Sequence, residues 1–204
     1  MTKKLDLKKT YKELYSAKAE PSIVRVPEQA VFAIDGKGDP NGSQRFQDCV
    51  GALYATSYAL KFEMKKAHGI DWAVLGLEGD WWCDDISNFS MERKAEWKWT
   101  LLISQPGFFS DAEAKIAIEV ARAKKGASPA ITDIRFERRP AEEAAHILHF
   151  GPYDEEPPTI ARLHAFIEGN GLRLTGRHRE IYLSDARRVT PARLRTILRQ
   201  PFSR

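Results

Sequence analysis

Hydrophobic residues recur at spacings of three and four in two long segments, which predicts two amphipathic helices. The first stripe runs through residues 46–64 and is expected to end before Gly69. The second runs through residues 160–167, and Pro157 and Pro158 just before it fit only the first turn of a helix. Each helix therefore has one apolar face that can cover a sheet.

Alternation of apolar and polar residues predicts strands between and after these helices. A third helix is expected at residues 111–125, opened by Ser110 as N-cap. A short fourth helix is expected to begin at Pro191 and to carry its apolar side chains within residues 194–198. The predicted strands are residues 72–82, 96–105, 131–138 and 172–183.

The chain contains an internal repeat. Each copy reads as a short apolar strand, a turn rich in glycine or proline, an amphipathic helix and another strand. We predict an α+β fold of duplicated antiparallel modules, with repeats at about residues 28–105 and 130–185 of a domain at 24–204, after an N-terminal extension at 1–23. The aligned pairs are Glu28 with Glu143, Ala30 with Ala145, Phe32 with Ile147 and Gly36 with Gly151.

Composition and charge narrow the class of protein. The chain has 204 residues, of which 43% are hydrophobic and 29% charged, as in soluble globular domains. Its 32 basic and 28 acidic residues give a net charge of +4, and we interpret the arginines near the C-terminus as a solvated helix face rather than a nucleic-acid surface. Those arginines are Arg187, Arg188, Arg193, Arg195, Arg199 and Arg204.

The two cysteines and the apolar runs indicate a cytoplasmic protein. Cys49 and Cys83 lie far apart and outside any CxxC motif, so neither a disulfide framework nor a zinc site is indicated. No segment reaches the roughly 18 consecutive apolar residues of a membrane span, and no signal peptide is recognisable. We therefore expect no membrane association.

Residues 177–183 form the most informative strand. Alternation places His178, Glu180 and Tyr182 on one face and Ile181 on the other. If the Ile181 face packs under helices, Glu180 faces solvent or a cavity. In a cavity, burial raises a carboxyl pKa towards the range of a general base, and Tyr182 could donate to developing negative charge. Alternatively, an ionised Glu180 could be the counter-ion of a cationic ligand.

Four of the five tryptophans flank one connection: Trp81, Trp82, Trp97 and Trp99. Flat aromatic side chains bind planar or cationic ligands, but they are also common in protein cores. Trp81 and Trp82 are adjacent, so they point to opposite faces of a strand and cannot both enter one core. Glu78 is expected on the Trp82 face, away from the apolar face of the same strand.

Several catalytic signatures are missing from the sequence. There is no Gly-x-Ser-x-Gly elbow, no GxxxxGK[ST] phosphate loop and no GxGxxG after a strand. His146 and His149 are three residues apart on a predicted strand and hence on opposite faces, which makes them poor joint ligands. We expect no metal and no other cofactor.

Three segments carry a resemblance to a known family. They are HFGPYDEEPPTIARLHAFIEGNG followed by GRHREIYLSD, the closing TPARLRTILRQP, and LEGDWW with EWKWTLLISQPGFF in the first half. Over residues 24–202 the chain resembles the stand-alone GyrI-like small-molecule-binding proteins. The resemblance implies duplicated strand–helix–strand–strand (SHS2) modules around a central ligand cleft. Relatives include ligand-binding domains of multidrug-responsive transcription regulators and a DNA gyrase inhibitory protein. Too few residues precede the module for a DNA-binding domain, so no nucleic-acid partner is expected.

Stand-alone relatives hydrolyse the cyclopropane ring of DNA-alkylating cyclohexadienone natural products, which implies detoxification and xenobiotic resistance. By this resemblance Glu180 and Tyr182 are the catalytic residues, and the aromatic clamp maps onto Trp81 or Trp82 and Trp99. The ligand-binding candidates are Trp81, Trp82, Trp99, Phe109, Glu78 and His178.

We expect a monomer or homodimer whose partner is a small aromatic molecule. These features support three hypotheses for its function. The first is a cofactor-free hydrolase of strained planar electrophiles, with Glu180 as general base. The second is a binding protein that sequesters amphipathic or cationic aromatic compounds, with Glu180 as counter-ion. The third, a protein that binds gyrase or another macromolecule, rests on the family name alone.

Overall fold

The computed structural model describes residues 3–84 and 91–204. Within these ranges the helices are α1 (Leu7–Thr10), α2 (Gln44–His68), α3 (Asp111–Arg122) and α4 (Pro157–Gly169). The strands are β1 (Lys3–Leu5), β2 (Ser22–Val26), β3 (Gln29–Lys37), β4 (Ile70–Trp72), β5 (Glu78–Trp82), β6 (Lys98–Gln105), β7 (Arg135–Arg139), β8 (Glu142–Phe150), β9 (Arg173–Leu174), β10 (His178–Tyr182) and β11 (Arg195–Ser203).

A curled antiparallel sheet organises the fold. Its strands follow the order β2-β8-β11-β10-β5-β6-β3-β7, β9 pairs with β11, and β1 and β4 form a separate parallel pair. The six central strands are β8-β11-β10 followed by β5-β6-β3, so the two halves mirror each other. They belong to two strand–helix–strand–strand modules, β3-α2-β5-β6 and β8-α4-β10-β11. The predicted α+β fold of duplicated antiparallel modules is confirmed.

Helix α2 forms where the hydrophobic stripe predicts it. The Ser43 side chain accepts a hydrogen bond from the N–H of Phe46, and Gly69 adopts the left-handed conformation, φ 66°, that ends the helix. The apolar face of α2 packs on β3 and β6 in the largest core cluster. Helix α3 is opened by a capping box between Ser110 and Glu113, as its sequence predicts.

Helix α4 covers the second module. Pro157 occupies its first position, where the missing N–H costs nothing. Leu163 and Ile167 pack on Ile147 of β8 and Leu198 of β11. The two helices therefore cover the same face of the sheet through two separate apolar clusters.

The prediction of a C-terminal helix is wrong. A single 3₁₀ turn, Pro191–Arg193, is followed by β11, whose residues 196–202 are all buried. Because β11 lies between β8 and β10 and is covered on both faces, its apolar residues need not alternate, and their chance spacing imitates a helical stripe. The C-terminal arginines do not form one solvated helix face either, since Arg199 is only 1% exposed.

Three predicted strands have different boundaries. The strand expected at residues 72–82 is divided into β4 and β5, and the strand expected at 172–183 is divided into β9 and β10. The strand expected at 131–138 starts late, because the 3₁₀ turn Pro129–Asp133 precedes β7.

The opposite face of the sheet is partly covered by the N-terminal segment. Leu14 packs with Val24, Val26 and Ala144, and Arg199 donates to the carbonyl oxygen of Leu14 at 2.7 Å. Helices α2 and α4 therefore cover the first face of the sheet, and the N-terminal residues cover the second face over β2, β8 and β11. No helix in residues 3–84 or 91–204 is long and apolar enough to cross a membrane.

Candidate functional site

Glu180 lies on β10, at the junction of the two modules. His178, Glu180 and Tyr182 share one face of the strand, as alternation predicts. Leu198 lies opposite Glu180 on β11 and belongs to the α4 cluster. Trp81 lies opposite His178 on β5 and belongs to the α2 cluster. Glu180 is therefore on the helix-bearing face, between the two apolar clusters.

Helices α2 and α4 do not cover the Ile181 face, so the condition under which Glu180 would face away from the helices is not met. Ile181 pairs with Glu78 of β5 and Ile197 of β11 on the other side of the sheet. Tyr15 of the N-terminal segment donates to Glu78 at 3.1 Å, so that segment lies over this face. Alternation separates the two faces of a strand, but it cannot tell which face meets the helices when both are buried.

A chain of hydrogen bonds fixes Glu180. The indole Nε1 of Trp81 donates to the Tyr182 hydroxyl at 3.2 Å, and that hydroxyl donates to Glu180 Oε2 at 2.7 Å. Gly79 lies directly opposite Glu180 in the sheet. A Cβ at Gly79 would come within 2.8 Å of Trp81 Nε1 and 3.3 Å of the Tyr182 oxygen. The glycine therefore leaves the space in which the two aromatic side chains meet.

Glu156 is a site residue that the sequence predictions missed. It precedes α4, is only 3% exposed, and its side chain makes no cap on the helix. Its carboxyl group lies beside the Glu180 carboxyl instead, so that one of the two can donate a hydrogen bond to the other when it is protonated. Two buried carboxyls in contact share one proton, because both cannot be ionised together at low cost. The acidic run that contains Glu156 was the only hint in the sequence, since the residue lies on a different element from Glu180.

Burial raises the pKa of both carboxyls. The pKa of Glu156 rises to about 10, through burial first and the negative charge of Glu180 second. Burial raises the pKa of Glu180 to about 7, while hydrogen bonds with Tyr182 and Glu156 oppose a larger rise. At neutral pH Glu156 therefore holds the shared proton, and Glu180 titrates in the range that suits a general base.

Two more side chains complete the surroundings of Glu180. The ring of Tyr153 packs edge-on against Tyr182, with centroids 5.6 Å apart, and Tyr153 is 37% exposed. His178 is buried, and its Nε2 lies 4.0 Å from Glu180 Oε1. Burial lowers the pKa of His178 to about 4, so the ring is neutral at pH 7. Neither ring nitrogen of His178 has a hydrogen-bond partner in the described part of the chain.

Two predicted ligand-binding residues lie in the core. Trp99 is 1% exposed, packs edge-on against Phe46 of α2, and fills the space over Gly36. Phe109 is 2% exposed and packs on Phe136 of β7, at 5.4 Å between ring centroids. Both residues stabilise the first module, and of the predicted aromatic residues it is Trp81 that contacts the Glu180 hydrogen-bond chain.

Trp82 and Glu78 lie on the opposite face of β5, because they alternate with Trp81. The guanidinium carbon of Arg177 stacks 3.4 Å from the ring centroid of Trp82. Glu78 is buried and accepts hydrogen bonds from Tyr15 and Ser104. Neither residue can contact a ligand that reaches Glu180 from the helix side of the sheet.

The histidines of β8 lie on opposite faces, as predicted. His149 Nδ1 is 3.0 Å from the Thr159 hydroxyl of α4, whereas His146 pairs with Arg199 on the other face. Across residues 3–84 and 91–204 no three His, Cys, Asp or Glu side chains are placed to hold a metal ion.

The model of the GyrI-like small molecule binding domain matches residues 19–201. The chain belongs to this GyrI-like family. Its duplicated modules and the junction between them are thus features of a family defined by small-molecule binding. A search among curated proteins gives no match.

Solved structures similar to this GyrI-like chain include two from Listeria innocua. One is an uncharacterized conserved protein, 37% identical, with a TM-score of 0.88 over 98% of this chain and 100% of that one. Another, described as a hydrolase, is 36% identical, with a TM-score of 0.87 over the same shares of the two chains. The C-terminal domain of EcmrR, 18% identical, with a TM-score of 0.55 over 91% of this chain and 98% of that one, shares the fold.

Proposed function

We propose that this protein is a cofactor-free cytoplasmic hydrolase that opens the cyclopropane ring of planar cyclohexadienone DNA alkylators and so detoxifies them. The observation that carries the proposal is the state of Glu180. It is a buried carboxyl with a pKa raised to about 7, positioned by Tyr182 and next to a carboxyl that already holds a proton. A base with these properties can take a proton from water at neutral pH.

The reaction follows from these positions. Water attacks the CH₂ carbon of the cyclopropane, the strained C–C bond breaks, and its electron pair moves into the dienone, which becomes a phenolate. Glu180 takes the proton that the attacking water loses. Once Glu180 is protonated, Tyr182 no longer needs to donate to it and can donate to the phenolate oxygen. Proton transfer from Glu180 through Tyr182 to the phenolate gives the phenol and restores the carboxylate, so one water is added in total.

The side chains around Glu180 suit a planar aromatic substrate. Trp81, Tyr182 and Tyr153 present rings close to the carboxylate, and rings of this kind bind flat molecules through stacking and edge contacts. The unpartnered nitrogens of His178 are available to a polar group of the substrate. A relative 36% identical over nearly the whole chain and described as a hydrolase supports hydrolysis as the reaction class.

The first test replaces the base. Glu180→Gln should lower the rate of cyclopropane opening by about 10²–10⁴, because an amide cannot take a proton from water. Product formation from a neutral cyclopropyl-dienone, followed by mass spectrometry, measures the rate. Glu168→Gln is the matched control, since Glu168 is an exposed residue of α4. Unchanged hydrolysis by Glu180→Gln would rule out the general-base role.

The second candidate function is binding without turnover. A buried carboxylate surrounded by aromatic rings also suits a lipophilic aromatic cation, which would use Glu180 as its counter-ion. In that case Glu180→Gln should weaken binding of a cationic dye by at least tenfold and leave a neutral dienone unaffected. Stoichiometric protection of DNA without product would favour this candidate over the hydrolase.

A further inference from the structure

An open cavity lies on the face of the sheet opposite Glu180. Its volume is about 440 Å³, and its walls come from β5, β7, β8 and β10 and from the turn before β10. Seven charged side chains line it, four guanidinium groups and three carboxylates. They are Arg135, Arg139, Arg177 and Arg179, with Asp80, Glu137 and Glu142.

Three of the four arginines are paired with carboxylates. Asp80 accepts from Arg139 Nη1 at 2.6 Å and from Arg179 Nε at 2.7 Å. Glu137 accepts from Arg135 at one oxygen and from Arg139 at the other. Asp80 and Arg179 are both nearly buried, at 5% and 9% side-chain exposure, so these pairs form a fixed floor rather than a mobile surface.

Arg177 differs from the other three arginines. Its guanidinium carbon lies over the Trp82 ring, 3.4 Å from the centroid, and Nη1 donates to the Thr100 hydroxyl at 3.3 Å. No carboxylate in the described ranges forms an ion pair with it. The contact with Trp82 holds the guanidinium plane in place while leaving N–H groups at its edge for another acceptor.

We propose that this cavity binds a small oxyanion, a carboxylate or a phosphate, with Arg177 as its main ligand. Arg135 also pairs with Asp35, and Arg179 lies 4.0 Å from Glu78, so among the described residues Arg177 is the one guanidinium of the cavity without a carboxylate partner. The planar fork of a guanidinium suits two oxygens of one anion. The site lies on the other side of the sheet from Glu180, so it does not depend on the proposed hydrolase activity.

Isothermal titration calorimetry of the full chain tests the proposal, with inorganic phosphate and benzoate as probes and potassium chloride holding the ionic strength constant. We expect saturable binding of at least one probe, and Arg177→Gln should weaken it about tenfold or more by removing a charge-assisted hydrogen bond. The matched control is Arg173→Gln, an exposed arginine of β9 outside the cavity, which should bind as the unaltered protein does.

The two probes also identify the source of the anion. A preference for phosphate points to a phosphate ester, whereas a preference for benzoate points to a carboxylate, and both results support the site. Heats no larger than those from potassium chloride for both probes would overturn the proposal. The proposal would also be overturned if Arg177→Gln bound the probes as tightly as the unaltered protein and had the same melting temperature.

Discussion

Glu156 sets the charge state in which Glu180 can act. A single buried carboxylate among aromatic rings would have its pKa raised by desolvation, and it would hold a proton well above neutral pH. The hydrogen bond with Glu156 opposes this rise, as does the hydrogen bond from Tyr182. The proposed base therefore depends on a neighbouring acid that remains protonated, in the same way that paired carboxyls divide their roles in other acid–base sites.

This dependence predicts that two Glu156 variants will differ in the pH dependence of kcat/KM. In the unaltered protein kcat/KM should rise with pH around 7, because Glu180 must lose its proton to act. Glu156→Gln keeps an N–H donor, so the midpoint should not move. Glu156→Leu has a similar size but no donor, so the midpoint should move upward by about one pH unit, which corresponds to about 1.4 kcal/mol. The same midpoint in both variants would show that Glu156 does not tune the base.

The proximity of Glu180 and Tyr182 was predictable from the sequence, because alternation within one strand places both residues on the same face. Trp81 was predictable as one of two choices, since adjacent residues must separate. Glu156 was not predictable, because its contact with Glu180 joins two elements that the local pattern treats separately. The spacing of residue types thus identifies the site residues that share one strand or helix. Their partners on other elements can be identified only when the register of the sheet is known.

Gly36 of β3 leaves the space that the ring of Trp99 on β6 fills. A Cβ added at Gly36 would lie 2.0 Å from the Trp99 ring, and Trp99 pairs with Trp81 across β5 and β6. Strand β6 cannot move away easily, since it is hydrogen-bonded on both sides. The position therefore connects the packing of the first module to the tryptophan that contacts Tyr182.

Gly36→Ala should consequently destabilise the protein by about 1–3 kcal/mol, because the added methyl overpacks the core. Gly51→Ala is the matched control, since Gly51 lies in α2 with open space where its Cβ would be. Alanine there should stabilise by roughly 0.5–1 kcal/mol through better helix propensity. Urea unfolding measures both changes, and a Gly36→Ala variant as stable as Gly51→Ala would contradict the packing argument.

Helices were the most predictable elements, and buried strands the least. Helix α2 has a polar face, a Ser43 cap and a Gly69 end, so local physics determines its limits. Strand β11 is paired with neighbours on both sides and buried on both faces, and these long-range contacts override the helical spacing of residues 194–198. The same contacts bury Arg199, which composition alone assigned to a solvated surface.

At the scale of the molecule, the site lies where the two modules join. β5 and β10 are the innermost strands of the two halves, and each contributes to the Glu180 hydrogen-bond chain, Trp81 from one and Tyr182 from the other. On the opposite face, Arg179 and Asp80 tie the same two strands together at 2.7 Å. The repeat predicts a cleft between halves for this reason, although it does not predict which face carries the ligand.

Because burying the Glu180 carboxylate is costly, the stability of the whole protein should depend on pH. The folded pKa of Glu180 is raised from 4.5 to about 7, so its contribution to stability is fully present below pH 4.5 and is lost as pH rises towards 7. His146 and His178, with pKa values lowered to about 4, act in the opposite direction as pH falls, but they are common to both proteins compared below.

Glu180→Gln removes the ionisation while keeping the size of the side chain. The free energy of unfolding of this variant, relative to the unaltered protein, should therefore increase by about 2–3 kcal/mol between pH 5 and pH 8, which is most of the free energy that corresponds to a pKa change from 4.5 to about 7. Urea unfolding at both pH values measures the difference, with the exposed Glu168→Gln as the control that should show no such change. The substitution proposed to stop turnover would then also stabilise the fold at neutral pH, as expected where a functional site retains a costly buried charge. A constant difference between the two proteins across this range would mean that Glu180 is not desolvated in the folded state.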